Sequence, residues 1–263
     1  MYTAGGQADL GKISVVRKGK TDFQPLRGDC LTVIRVWSTE RYVLKWETHC
    51  HTVYSNRRRR GFDALNTPRE MIGAAIRKGL QGIVITDHDS VMGGLVGRKA
   101  ANAYADFQVI PGAEITSRFG HILAIGIETD IPKGLTVEET VDKIRDLGGI
   151  SVASHPFSNR VRPSLGKQCI KTDGIEVFNA TNGFQANAIA ISIAQTRGRP
   201  ATAGSDAHWA KSVGNAGIIC DDPISDIRKG RAALFGEYTT LWNRREFNLR
   251  QLASTIANRP LWK

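Results

Sequence analysis

Six histidines in a chain of 263 residues is an ordinary number, but their settings here are not ordinary. His49 and His51 stand two apart in Glu47-Thr48-His49-Cys50-His51-Thr52, and His88 sits in Thr86-Asp87-His88-Asp89. His121 heads an apolar run, His155 precedes a proline in Ser154-His155-Pro156-Phe157, and His208 follows Asp206 in Gly204-Ser205-Asp206-Ala207-His208. Glu114 closes the segment Pro111-Gly112-Ala113-Glu114. Imidazole nitrogen mixed with carboxylate oxygen is the donor set of zinc, manganese or iron. Each residue also has a plainer reading. A lone His88 or His121 is more often structural or on the surface, His-Pro stops a strand, Asp206 caps a helix, and Glu114 makes an ion pair. Those readings are independent of one another. They give no reason for all six histidines to fall at one structural level, so the conjunction carries the expectation of a metal centre.

The elements that would position these residues are regular after residue 41. Strands are predicted at 43–48, 83–86, 107–110, 121–127, 150–154, 174–178 and 201–204. Two capping boxes, Thr67 to Glu70 (with Pro68 at the first helical position) and Thr136 to Glu139, open helices, and further helices fit 91–105 and 185–196. Residues i and i+2 of a strand face the same way, so His49 and His51 converge while Cys50 faces away. Short apolar strands alternating with amphipathic helices predict parallel βαβ units. Seven or so such strands suit a closed or distorted barrel better than the alternative, a doubly wound sheet. In a parallel barrel the carboxyl ends of the strands open onto one face, where sites are built. Five histidines, with Glu114 and Asp206, fall at or just after such ends. His121 starts its strand and requires a local reversal of direction.

Bulk properties set the surroundings. An apolar fraction of 41% reads as globular, and 36 Lys and Arg against 25 Asp and Glu leave a net charge of +11 that favours polyanionic partners. Arg57 to Arg60 form an unbroken basic run, which is also what a plain solvated surface looks like. No stretch approaches the about 18 apolar residues needed to span a bilayer. The start of the chain lacks the apolar run of a secretory signal, so a cytoplasmic protein is expected. Four widely spaced cysteines without a CxxC pair read as reduced thiols. Residues 1–41 are expected to be an N-terminal extension, with possible strands at 12–16 and 31–37, ahead of one barrel domain over 42–263. Oligomeric state is not legible.

The ordered segments ETHCHTVYS, GIVITDHDS, PGAEIT with HILAIG, ASHPF, GIEVFNA and GSDAH closely resemble the PHP (polymerase and histidinol phosphatase) superfamily over about residues 43–210. The resemblance implies an α/β fold, a distorted (β/α)7 TIM-like barrel, with two to three divalent ions (Zn, Mn or Fe) at its mouth. It implies that His49, His51, Glu114 and Asp206 hold a first ion, with Glu114 bridging to a second completed by His121 and His155, while His88 and His208 hold a third. Many relatives place an aspartate after the serine of the first motif. This chain has Asn56 there, and Asp63 a few residues on is the alternative carboxylate. Asp87 and Asp89 are candidates to orient a ligand imidazole, and Asn179 to line the pocket. Arg160 and Arg162, just past His155-Pro156, are candidates to grip substrate phosphate.

The implied reaction is hydrolysis of phosphate esters. The nucleophile is a metal-bound hydroxide, since a bound water deprotonates near neutral pH, and no separate protein base is assigned. A phosphorylated small molecule or short nucleic acid is the expected substrate, nucleotides or short RNA foremost. Histidinol phosphate is the alternative within the enzyme class. A catalytically weakened, nucleic-acid-binding PHP-like module is the alternative outside it.

Overall fold

A computed structural model describes residues 12–14, 44–56, 62–159 and 163–257. Its strands are β1 (Lys12–Ser14), β2 (Lys45–Cys50), β3 (Gly82–Ile85), β4 (Gln108–Ser117), β5 (Gly120–Ile125), β6 (Ile150–Ala153), β7 (Gly174–Asn179), β8 (Ala201–Gly204), β9 (Ala216–Ile219) and β10 (Ala233–Glu237). They pair in the order β1-β10-β9-β2-β3-β4-β5-β6-β7-β8. The far end then returns to β2. Thr48 Oγ1 donates to Ala203 O at 2.6 Å, His51 N donates to Ala207 O at 2.8 Å, and Cys50 bridges Ala207 in parallel. The sheet is thus a nearly closed, distorted barrel.

Local chemistry explains the helices. In α1 (Pro68–Arg77) and α3 (Val137–Asp146) both capping boxes form, Thr67 with Glu70 and Thr136 with Glu139. Each box satisfies two otherwise orphaned backbone donors. The period of two sorts β3 onto two faces. Ile83 and Ile85 pack with Met71 and Ile72 of α1, while Val84 joins Trp46, Leu123, Val152 and Ile218 on the opposite face. Cys50 turns away from the histidines into the α1 layer, and Cys50, Cys169 and Cys220 are buried free thiols.

Three features depart from the sequence reading. β4 runs on through Glu114 to Ser117, so Glu114 lies inside a strand rather than after one. β5 pairs antiparallel with both β4 and β6, which is the reversal that His121 required, and the sheet is not all-parallel. A hairpin of β9 and β10, with α5 (Pro223–Arg228) between them and α6 (Leu241–Ile256) beyond, follows the last predicted strand. The remaining helices, α2 (Met92–Ala101) and α4 (Phe184–Thr196), lie where expected. Lys12–Ser14 pairs antiparallel with β10, and the predicted strand at 31–37 lies outside the described residues.

Candidate metal centre

Strand geometry delivers the side chains to one small volume. β2 presents His49 and, just past its end, His51. β4 presents Glu114, β5 opens with His121, and β6 ends just before His155. Asp206 and His208 follow β8. His155 and Asp206 both hold positive φ, 28° and 52°. Such backbone is rarely adopted by residues other than glycine and clusters at functional sites, where the surroundings must hold it in place.

Four donor atoms converge. His49 Nε2 lies 3.2 Å from His51 Nε2, 3.6 Å from Glu114 Oε2 and 3.4 Å from Asp206 Oδ1. His51 Nε2 lies 3.4 Å from both of those carboxylate oxygens. Four ligands held tetrahedrally at about 2.0–2.2 Å from an ion are separated from one another by about 3.3–3.6 Å. The far nitrogens decide which atom faces the cluster. His49 Nδ1 donates to Glu176 Oε1 at 2.9 Å, and His51 Nδ1 donates to Ser55 Oγ at 3.1 Å. His49 Nε2 and the Nε2 lone pair of His51 are therefore both turned into the cluster, and Glu114 Oε2 is buried there without a hydrogen bond. An imidazole lone pair beside an orphaned carboxylate oxygen and the Asp206 carboxylate calls for positive charge among them, a proton on His49 Nε2 or a metal cation in its place. The residues present fit a divalent metal ion.

Around this set the other candidates gather. Glu114 Oε1 faces His121 Nδ1 at 2.9 Å and His155 Nε2 at 3.0 Å, and accepts Ser154 Oγ at 2.7 Å. On the far side His88 Nε2 and His208 Nε2 lie 3.4 and 3.3 Å from Asp63 Oδ2, and these three group with His51. Asp63 thus takes the place beside the third pair. His88 Nδ1 is also 3.2 Å from Glu114 Oε2, so the groups share members rather than dividing cleanly into three. His155 likewise groups with His49 and Asp206.

The electrostatics follow from burying carboxylates among imidazoles. Burial pushes Glu114 up, but the imidazoles packed around it, His121 foremost, hold it well below the usual carboxylate range. Asp206 is likewise depressed, against its burial, chiefly by His49. Burial lowers His51 to about 4, with the charge of His208 adding to it, and lowers His88 to about 3 against the pull of Glu114. Those two rings are neutral, as ligands must be. His208, despite burial, is raised to about 9 by Asp63, and His49 is raised by Glu176 and Asp206. The cluster demands positive charge, which a metal would supply in exchange for those protons.

The supporting residues match the sequence reading unevenly. Asp87 accepts Thr52 N at 2.5 Å, Thr52 Oγ1 at 2.7 Å and Ser55 Oγ at 3.0 Å, so it acts on His51 through Ser55. Ser55 Oγ also accepts His88 N at 3.0 Å, which uses its full hydrogen-bonding capacity. Asp89 orients no imidazole. Its carboxylate accepts Thr116 N at 2.7 Å and Thr116 Oγ1 at 3.0 Å, because its positive φ turns it onto β4. Asn179 Nδ2 donates to Glu176 Oε2 at 3.0 Å and to Asp206 Oδ2 at 3.4 Å. Arg57 to Arg60, Arg160 and Arg162 lie outside the described residues, as does the expectation for the Asn56 side chain.

Sequence reasoning missed Glu176, Glu47 and Ser55. Glu47 Oε1 accepts His49 N at 3.0 Å and Ser205 N at 2.9 Å, which ties β2 to the loop that carries Asp206. Glu176 left a signal, a lone charge in the otherwise apolar stretch Gly174-Ile175-Glu176-Val177-Phe178, whereas Glu47, in Lys45-Trp46-Glu47-Thr48, left none.

The family model described as PHP-associated matches residues 184–232. The chain is 36% identical over 143 residues to the uncharacterized protein MJ1587 of Methanocaldococcus jannaschii, spanning 52% of this chain and 82% of that one. A probable phosphatase of Caldicellulosiruptor saccharolyticus is 49% identical over 51 residues, 19% of each chain. A crystal structure from Bifidobacterium adolescentis, provisionally named a metal-dependent phosphoesterase, superposes with a TM-score of 0.57 at 20% identity, covering 76% of this chain and 98% of that one. The chain belongs to the PHP (polymerase and histidinol phosphatase) superfamily.

Proposed function

We propose that this protein is a metal-dependent phosphoesterase that hydrolyses phosphate esters of nucleotides or short RNA. The observation that carries the reading is the quartet of His49 Nε2, His51 Nε2, Glu114 Oε2 and Asp206 Oδ1, five of whose separations lie between 3.2 and 3.6 Å. His49, His51, Glu114 and Asp206 would hold one ion, His121 and His155 with Glu114 a second, and His88, His208 and Asp63 a third. Bound there, divalent zinc, manganese or iron supplies Lewis acidity toward phosphoryl oxygens and lowers the pKa of water. The chain's own contribution is orientation. Glu176 and Ser55 take the Nδ1 protons of His49 and His51 and hold both Nε2 atoms free to ligate. Glu114 uses Oε1 toward His121 and His155 and leaves Oε2 for the other pair, the division that a bridging carboxylate needs.

The preference for nucleotides or short RNA is supported by the net charge of +11 and by the run Arg57 to Arg60 next to the 3₁₀ turn that carries Ser55. Arg160 and Arg162 follow the strand that delivers His155 and are the second candidates to bind phosphate. Elemental analysis of the purified protein, with assays on an aryl phosphate, nucleotides, short RNA and histidinol phosphate, tests the reading. About two or more metal equivalents per chain are expected, with hydrolysis of nucleotides or RNA exceeding that of histidinol phosphate. Replacing Arg57 to Arg60 by Ala should raise KM for RNA more than for the aryl phosphate, and the difference should shrink at high salt. A protein that neither carries nor takes up metal would overturn the enzyme reading and leave a nucleic-acid-binding module. Equal KM effects would make the arginine run a plain surface.

A further inference from the structure

Helix α6 is inside out. Its solvent side carries Leu241 at 74% exposure, Trp242 at 73%, Leu249 at 69%, Leu252 at 58% and Ile256 at 78%. At 100° per residue these five fall within an arc of about 100°, interrupted only by Arg245. The barrel side is mixed, with Phe247 set edge-on to His208 at 6.2 Å and polar contacts on either side of it. Gln251 Nε2 donates to the carbonyl of Phe62 at 3.0 Å, Arg244 donates to those of Thr239 and Ala180, and Ser254 is fully buried. A helix that anchors itself to its barrel through Phe247 and polar contacts, yet turns five large apolar side chains to water, has that second face for another purpose. No described residue covers it.

We propose that this face is a dimer interface, in which α6 packs antiparallel against α6 of a second copy of the chain. Three observations favour a second copy. The positions 242, 245, 249, 252 and 256 follow the alternating three- and four-residue spacing of a helix–helix seam. A two-fold axis at Leu249 makes the face complementary to itself, with Trp242 opposite Ile256 of the second copy and Arg245 opposite Leu252 and Ala253. That places the Arg245 guanidinium at the carboxyl-terminal half of the opposing helix, where the helix dipole favours a cation. The size also fits. The five side chains expose roughly 650 Å² per copy, more than the largest apolar patch of a typical monomer, so complete cover in two copies buries at most about 1,300 Å², at the low end of the range of stable interfaces. A lipid surface fits less well, because it calls for a basic rim. Arg250 is turned inward onto Glu246 and over the Trp209 ring, and Arg244 is engaged with the backbone.

Light scattering or sedimentation equilibrium of the full chain at micromolar concentration tests the proposal. The expected result is twice the chain mass. Leu249→Arg, which sets two charges face to face on the axis, should weaken association at least about a hundred-fold and return a single-chain mass, with unchanged far-ultraviolet circular dichroism. Leu249→Cys in a Cys30→Ser background should form a disulfide-linked dimer on mild oxidation, while Lys99→Cys on the exposed side of α2 should not. A monomeric wild type overturns the proposal, and would leave residues outside the described set as the cover for α6. A dimer that survives Leu249→Arg and gives no Leu249→Cys crosslink overturns it as well, by placing the interface elsewhere.

Discussion

Glu176→Gln is a near-isosteric change whose consequence can be worked out atom by atom. Glu176 is 1% exposed and accepts three hydrogen bonds: His49 Nδ1 at Oε1, and His155 N and Asn179 Nδ2 at Oε2, at 2.9, 2.8 and 3.0 Å. Glutamine keeps one acceptor oxygen and turns the other into a donor. The backbone N–H of His155 has no second tautomer, so the amide oxygen must stay on that side. The amide NH₂ then faces His49 Nδ1, which must give up its proton to become an acceptor. The proton moves to Nε2, the atom that lies 3.2–3.6 Å from His51, Glu114 and Asp206. His49 ceases to be a ligand although no atom has shifted. Loss of such an orienting carboxylate costs about 10- to 100-fold in metal affinity, or about 1.4–2.7 kcal/mol. Chelator competition followed by elemental analysis measures the affinity, and nitrogen–proton correlation NMR of the imidazoles reads the tautomer directly. A variant that keeps its metal within about twofold of wild type, with His49 still protonated at Nδ1, would refute the reasoning.

Three further outcomes follow from the same geometry. Asp63→Ala should remove about one metal equivalent on dialysis and lower the rate, while Asn56→Asp changes little, because Asp63 already stands within 3.4 Å of His88 and His208. Unchanged metal content in Asp63→Ala, with tightening in Asn56→Asp, would reverse that assignment. Gly204→Ala would set a Cβ 2.5 Å from His49 Cβ and 2.7 Å from Glu176 Oε1, so thermal unfolding should show about 1–3 kcal/mol of lost stability together with reduced metal content; retention of both would show that the barrel yields there. Thr136→Ala removes the cap of α3 and should cost about 1 kcal/mol in denaturant titration with kcat unchanged.

The convergence of His49 and His51 was legible from the sequence because it is written locally. An i, i+2 pair at the end of a strand converges whatever the strand packs against, and a capping box forms within four residues of chain. Thr67 with Glu70 and Thr136 with Glu139 therefore stand where the sequence puts them. The direction of β5 was legible only as a demand made by His121, since nothing within Gly120–Ile125 states which neighbour it pairs with. Glu114 reads from the sequence as following a strand, yet Gly112 to Ser117 pair residue by residue with β5, so the strand continues through it. Which acid serves which histidine was decided by tertiary structure alone. Glu176 reaches His49 across 127 residues, and Glu47 reaches Gly214 N across 167. Asp87 acts on His51 through the hydroxyl of Ser55. Asp89 carries the same charge beside the same histidine but turns to Thr116 instead. The physical reason is one of range. A side chain's direction is set by backbone dihedrals within a turn or two, whereas its partner is whatever barrel closure brings opposite it, and the two strands that close the barrel are far apart in the chain.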